Sequence, residues 1–333
     1  MAGKSVLTRA LSRSRRTFPT RRSVIPSQSA GQPVDQARRR DNPWVIAGVA
    51  AAAILLSGVA VAILAIVRHP DHTSQAVPTY NHSWQVPQPF TGLVSPCGVA
   101  VDSAGSLYVA DNANNRVVKL AAGSATQTVL PFTGLADPLG VAVDSAGNLY
   151  VTDAFNNRVL KLAAGSATQT VLPFTGLSGA AGVAVDSADT LYVPEWKGNR
   201  VLKLAAGSAT QTVLPFTGLS ASVGVAVDSA DNLYVTDLFN KRVLKLPAGS
   251  GPQTVLPLTG LNYPQGVAVD AAGNLYVVDG ANNRVVKLAA GANTQSVLPF
   301  DGLRSPAGVV VDTAGNAYVA DNANNRVLKM LAG

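Results

Sequence analysis

The feature that most constrains this chain is a repeat of fixed period. The motif Gly-Val-Ala-Val-Asp ends at Asp102, Asp144, Asp186, Asp228 and Asp270, and Gly-Val-Val-Val-Asp ends at Asp312, in steps of 42 residues. Six copies at one period demand a repeat architecture, in which each unit buries its apolar faces only against its neighbours. Each unit holds four short apolar runs with turn signals between them. In the second unit these are residues 140–144, 148–153, 158–162 and 169–174. The runs alternate and are rich in Val, Leu and Tyr, which favours strands. Four strands in about 40 residues is the signature of a propeller blade. The sequence therefore predicts an all-β fold, a six-bladed β-propeller of four-stranded antiparallel blades.

Closure of the ring is also readable. The chain ends after Arg-Val-Leu-Lys-Met (326–330), so the sixth unit lacks its fourth strand. Residues 84–90 (WQVPQPF) lie one period before residues 126–132 (TQTVLPF) and supply it. An N-terminal strand closing the last blade removes an exposed edge.

Ahead of the propeller (84–333) three segments are distinguishable. Residues 44–67 are 24 residues with no charge and no proline. As a helix they would be roughly 36 Å long, enough to cross a ~30 Å hydrocarbon core with some tilt. The run is too long for the apolar core of a cleaved signal peptide, about 7–15 residues. Residues 1–43 carry ten Lys/Arg against two Asp, and 68–83 form a polar, proline-containing linker. The positive-inside rule then places a disordered basic tail in the cytoplasm and the propeller outside, as a single-pass protein of the cell membrane.

The net charge of +7 belongs to that tail, because residues 44–333 hold 16 basic and 17 acidic side chains. A nucleic-acid partner needs a positive footprint on the folded domain, so none is expected. Cys97 is the only cysteine, so no internal disulfide staples the fold.

In such a blade the loops after the first and third strands share one face, and they are nearly monotonous. The loops after the second and fourth strands share the other face, and they vary. Between strands two and three they read NANN, AFNN, WKGN, LFNK, GANN and NANN, and entering each blade they read VSPC, ADPL, SGAA, SASV, NYPQ and RSPA. Phe155, Trp196, Lys197, Phe239, Lys241 and Tyr263 lie on this variable face, as aromatics and cations suited to a protein or glycan ligand. The competing explanation is that these rings merely fold over strand ends. A second set recurs in every unit: Asp111/Arg116, Asp153/Arg158, Glu195/Arg200, Asp237/Arg242, Asp279/Arg284 and Asp321/Arg326. A pair needed six times is architectural. The expected arrangement is the planar fork of arginine meeting a carboxylate, which clamps the loop between strands two and three.

The pattern from Pro138 to Leu162, P-x-GVAVD-x-x-GNLYV-x-D-x-x-NNRV-x-KL, resembles the NHL repeat, and the AAGSATQTVLPFTGL spacers resemble the extracellular sensor domains of mycobacterial receptor-type serine/threonine kinases. The resemblance implies a six-bladed ring outside the membrane, joined by one helix to a cytoplasmic kinase. The tail 1–43 contains no glycine-rich phosphate loop, no HRD and no DFG, so kinase activity is not carried over. Related propellers include metal-dependent lyases and lactonases. Here the three histidines, His69, His72 and His82, all precede the first strand, so no blade supplies a histidine ligand or base. The expectation is a non-enzymatic sensor or binding module with no cofactor and no metal. An envelope-assembly scaffold is the second reading, and a metal-dependent lactonase- or lyase-like propeller the third.

Overall fold

The structure is a computed structural model, which describes residues 84–249 and 251–332. The expected tail 1–43, membrane helix 44–67 and linker 68–83 lie outside the described residues. Among the described residues no helix is long and apolar enough to cross a membrane.

Six four-stranded sheets are present, each antiparallel throughout. Blade 2 illustrates the unit, with strands Pro138–Val143, Leu149–Asp153, Arg158–Leu162 and Gln169–Val171. The second strand is buried along its whole length, the third at Val159, Leu160 and Leu162, and the fourth is largely exposed. Burial is thus most complete at the second strand and falls outward from it. The six-residue run 169–174 is strand for only three residues, because Pro173 has no N–H to continue the ladder.

The ring closes as the sequence predicts. Gln85–Pro87 pairs with the third strand of blade 6, Arg326–Met330, in the register Gln85↔Met330 to Pro87↔Leu328. The amide of Gln85 accepts from Asp301 N–H at 2.8 Å and donates to Asp301 O at 3.2 Å. The equivalent clasp, Thr133 with Gln169, recurs within the other blades.

The core lies between blades. Tyr108 and Val117 of blade 1 pack on Val151, Leu160 and Leu162 of blade 2, and each of the six interfaces repeats this arrangement. Truncating a fully buried leucine such as Leu160 to Ala would cost about 2–5 kcal/mol. Near the axis, each first strand meets the next at backbone distance. A Cβ at Gly140 would lie 2.8 Å from Ala181 O, and one at Gly98 would lie 2.5 Å from Leu139 O. Only glycine permits this approach, which explains why the motif begins with it in all six copies.

Blade 3 departs from the pattern. Its first strand is reduced to Ala184–Val185, with an isolated bridge between Ala180 and Glu195. Pro194, within the second strand, has no N–H to offer the first strand, and Gly182 N–H turns instead to Val223 O of blade 4 at 2.9 Å.

Candidate functional site

The six acid–arginine pairs are formed as salt bridges. The Nε–Oδ2 distance is 2.6 Å for Arg116 with Asp111, 2.6 Å for Arg158 with Asp153 and 2.8 Å for Arg242 with Asp237. It is 2.7 Å for Arg284 with Asp279 and 2.6 Å for Arg326 with Asp321, and Arg200 pairs with Glu195 in the remaining blade. Every carboxylate is fully buried, while the arginines are only partly so.

The geometry corrects the expected clamp in two respects. The arginine fork does not close on the carboxylate alone. Nε donates to the carboxylate, but Nη2 turns to a carbonyl of the entering loop. Arg116 donates to Gly92 O at 3.0 Å, Arg242 to Gly218 O at 2.8 Å and Arg284 to Gly260 O at 3.2 Å. Arg158, Arg200 and Arg326 do the same to Gly134, Gly176 and Gly302. The pair also holds two loops rather than one. In blade 2, Asp153 Oδ1 accepts from Ala136 N–H at 2.7 Å, and Oδ2 accepts from Arg158 Nε and from Asn156 Nδ2. Asn156 Nδ2 also donates to Gly134 O. The loop between strands two and three is thereby tied to the loop entering the same blade. The reason is register. Acid and arginine are directly opposite on strands two and three, as Asp111↔Arg116, Asp237↔Arg242 and Asp279↔Arg284 are, so the guanidinium projects past the strand end. Charge-assisted hydrogen bonds of this kind are roughly twice as strong as neutral ones.

A second latch crosses from blade to blade on the same face. Asn115, Asn157, Asn199, Asn283 and Asn325 end the loops between strands two and three in the left-handed conformation. Each side-chain carbonyl accepts the N–H of a residue in the next entering loop, as Asn157 does from Gly179 at 3.1 Å. At the junction of blades 4 and 5 the residue is Lys241, which has no such acceptor. There Phe239 meets Tyr263 edge to face, with ring centroids 6.0 Å apart and planes at 86°. Tyr263 holds φ at +53°, a costly backbone state for a bulky residue. Phe155, Phe239 and Tyr263 are all well exposed, and Lys197 and Lys241 are exposed beside them.

The axial cavity, about 120 Å³, is walled by the first strands of all six blades near their starts. Those starts follow the entering loops, so the cavity opens on the variable face. Trp196 reaches into its lining from blade 3. The indole rests on Gly179. A Cβ there would overlap Trp196 Nε1 and sit 2.6 Å from Cδ1. Lys197 Nζ lies 4.9 Å from the indole centroid. Trp196 is thus half-buried at the mouth, whereas its sequence position suggested a surface loop like that of Phe155. Of the residues predicted for the variable face, the structure brings together Phe239 with Tyr263 and Trp196 with Lys197. Phe155 belongs to neither contact.

Three residues of the entering loops were not singled out as site candidates by sequence. Cys97 and Gln265 line the cavity, and Asp137 is buried in the loop entering blade 2, with Oδ1 accepting from Asn112 Nδ2 at 2.6 Å. Asp137 Oδ2 is the one buried side-chain polar atom among the described residues without a partner. Burial raises the Asp137 carboxyl above its ordinary range, the Asn112 hydrogen bond opposes this, and Asp153 adds to it. Burial, with Asp137 nearby, pushes the Cys97 thiol up to about 12, so it is an unreactive thiol at neutral pH. The signal for Cys97 and Gln265 was the last residue of each entering loop, which changes from blade to blade.

At the other end of the first strands, Asp144 Oδ1 accepts from Ala146 and Asn148 N–H, and Oδ2 from Asn148 Nδ2 and the Tyr150 hydroxyl. Burial raises this carboxyl, but the hydrogen bonds outweigh it and hold it below the ordinary range. Lys161 lies 5.3 Å over the Tyr150 ring. The same Asp–Tyr–Lys stack recurs in each blade, so these carboxylates are engaged in turns. No group of three or more His, Cys, Asp or Glu among the described residues is placed to hold a metal.

The NHL repeat family matches residues 93–120, 135–162, 261–288 and 303–330, so the chain carries NHL repeats. Those segments fall in blades 1, 2, 5 and 6. The serine/threonine-protein kinase PknD of Mycobacterium tuberculosis is 52% identical over 106 residues, which is 31% of this chain and 15% of the kinase. The match therefore spans a small part of that relative. Among solved structures, a gluconolactonase from Xanthomonas campestris superposes with a TM-score of 0.63 at 15% identity, covering 74% of this chain and 89% of the other. A nidogen/laminin complex gives 0.60 at 22% identity, covering 66% and 85%. At these identities the likeness shows the propeller fold alone, and that fold hosts both enzymes and binding proteins.

Proposed function

We propose that this NHL-repeat propeller is a membrane-anchored extracytoplasmic binding or sensor module that meets a protein or glycan ligand on its variable loop face. One observation carries the reading. The loops that differ among the repeats and the mouth of the axial cavity lie on the same face, while the opposite face repeats one Asp–Tyr–Lys stack six times. Loops on a rigid scaffold change without disturbing the core, and a concave opening among them is where ligands bind. The similarity to PknD supports a sensor role without its kinase, since the match involves repeats of this type. The apolar run 44–67 and the basic tail support the membrane anchor. We read the module as non-enzymatic because the recurrent carboxylates are all engaged by arginine, tyrosine or turn N–H groups.

The test uses the full chain in detergent as bait for envelope extracts, beside a Phe155→Ala, Trp196→Ala, Phe239→Ala variant with an unchanged circular dichroism spectrum. A partner held by the wild type and lost by the variant supports the face. Equal capture by both removes it.

A further inference from the structure

We propose that the axial mouth receives one uncharged, apolar side chain from an acidic segment of a partner protein, with Trp196 as the wall it packs against. This rests on the reading of the variable face and narrows its ligand from protein or glycan to protein.

Size comes first. A cavity of about 120 Å³ is comparable to an engineered cavity of roughly 150 Å³ that holds benzene. It fits one ring or one branched aliphatic group. Its chemistry is apolar. Valines and glycines of the first strands form most of the wall, with Cys97, Gln265 and the indole N–H as its polar side-chain groups and no charged residue. A sugar ring placed there would bury several hydroxyls with few partners, at about 1–3 kcal/mol for each left unmatched. An aliphatic or aromatic side chain has no such cost.

Charge then selects the surroundings of that side chain. The six carboxylates of the loop clamps are buried and paired with arginine, and Asp137 is buried. Lys197, Lys241 and Arg304 are exposed on the same face, and no salt bridge among the described residues engages them. The opening is thus an apolar hole in a surface whose free charge is positive, complementary to a hydrophobic residue flanked by carboxylates.

Blade 3 is rebuilt around this feature. At the position of Trp196 the other blades have Asn112, Ala154, Leu238, Gly280 and Asn322. At the position of Gly179 they have Ser95, Asp137, Ala221, Tyr263 and Ser305, all with positive φ and a side chain. Glycine stands only where the indole needs the space. The blade that carries the indole also has the shortened first strand. Aromatic anchors in a partly desolvated pocket are the residues that dominate protein interfaces.

The test presents the full chain, in detergent, to an array of acidic nonapeptides (Asp and Glu flanking a Gly-Xaa-Gly centre) with every residue type at Xaa. The proposal expects capture when Xaa is Leu, Ile, Met or Phe, and none when Xaa is Gly, Ser or Lys. Flanks of Lys should abolish capture. Trp196→Ala should weaken it about ten-fold or more. Gly179→Ala, which displaces the indole without removing it, should do the same, and Lys197→Glu with Lys241→Glu should weaken the acidic peptides. Capture indifferent to Xaa, capture unchanged in Trp196→Ala, or capture of no peptide overturns the proposal, as does capture of neutral oligosaccharides that Trp196→Ala abolishes. If an envelope partner is lost by Phe239→Ala but kept by Trp196→Ala, the face reading stands and the mouth assignment falls.

Discussion

Glu195 and Gly198 are a matched pair: a Cβ at Gly198 would lie 2.8 Å from Glu195 Oε2 and 3.0 Å from its Cβ. The other repeats place Asp and Asn at these positions. In blade 2, Asn156 Nδ2 reaches both Asp153 Oδ2 and Gly134 O. The longer glutamate takes the asparagine's space, and the asparagine is gone. Gly198→Asn alone should destabilise by about 1–3 kcal/mol through overpacking. Combined with Glu195→Asp it should be close to neutral. A double-mutant cycle in urea should therefore show coupling of about 1–3 kcal/mol, and simple additivity would refute the pairing.

The arginine clamps carry stability. Asp153 is fully buried and Arg158 mostly so. Arg158→Ala strands a buried carboxylate and should cost about 3–5 kcal/mol. Because the contact is shielded, raising the salt concentration should leave that difference nearly unchanged. Arg116, Arg242 and Arg284 make the same two contacts, so their alanine variants should show losses of similar size. A loss below about 1 kcal/mol in equilibrium unfolding would mark the pair as an ordinary surface contact.

The two kinds of aspartate respond to pH in opposite directions. Asp137 is raised in the folded state above 3.8, by burial first. Its ionisation therefore opposes folding at neutral pH, and acidification through its folded value towards 3.8 relieves that cost. Asp102, Asp144, Asp228, Asp270 and Asp312 are held below 3.8 because their hydrogen bonds outweigh burial, so their contribution is kept above 3.8 and lost as pH falls below it. Ser95 and Ser305 occupy the Asp137 position in other blades, so Asp137→Ser is tolerable there. The variant should be more stable than wild type at pH 7, with the gap closing as pH approaches 4. A gap independent of pH would exclude Asp137 as its cause.

Ring closure gives a further prediction. Gln85→Ala removes both hydrogen bonds to Asp301 and should cost about 1–3 kcal/mol. Deleting residues 84–90 leaves Arg326–Met330 as an open edge and removes Phe90 from the interface of blades 6 and 1. It should lower the unfolding midpoint far more than Gln85→Ala. Equal effects would mean that the clasp alone, and not the strand, closes the ring.

Much of the fold was legible because a propeller writes its period into the sequence. The displaced fourth strand could be located by aligning residues 84–90 with 126–132, and the division into a uniform and a variable face followed from loop order. The acid–arginine partners were legible from their sixfold recurrence. Their second contact was not, because the glycine carbonyl that receives Arg116, Arg242 or Arg284 lies 24 residues earlier and carries no side chain to mark it. Trp196 was harder. It shares its loop type with Phe155 and Phe239 but stands one position earlier, where those blades have Ala154 and Leu238, and its inward direction depends on Gly179, in a loop 17 residues earlier that meets it only in three dimensions. The shortened strand of blade 3 was hidden because Gly182–Asp186 keeps the full motif, and the cause, Pro194, sits on its partner strand. Asp137 was overlooked because an aspartate before proline in a turn is ordinary, and only burial shows that half its carboxylate lacks a partner.

The central claim is that recognition belongs to the variable face. A photo-crosslinking residue placed in cells at Phe155 or Phe239, and separately at Ala164 or Ala206 on the uniform face, tests it directly. Discrete adducts from 155 and 239 with none from 164 and 206 are predicted. Adducts from the uniform face alone, or equally from both, would contradict the account.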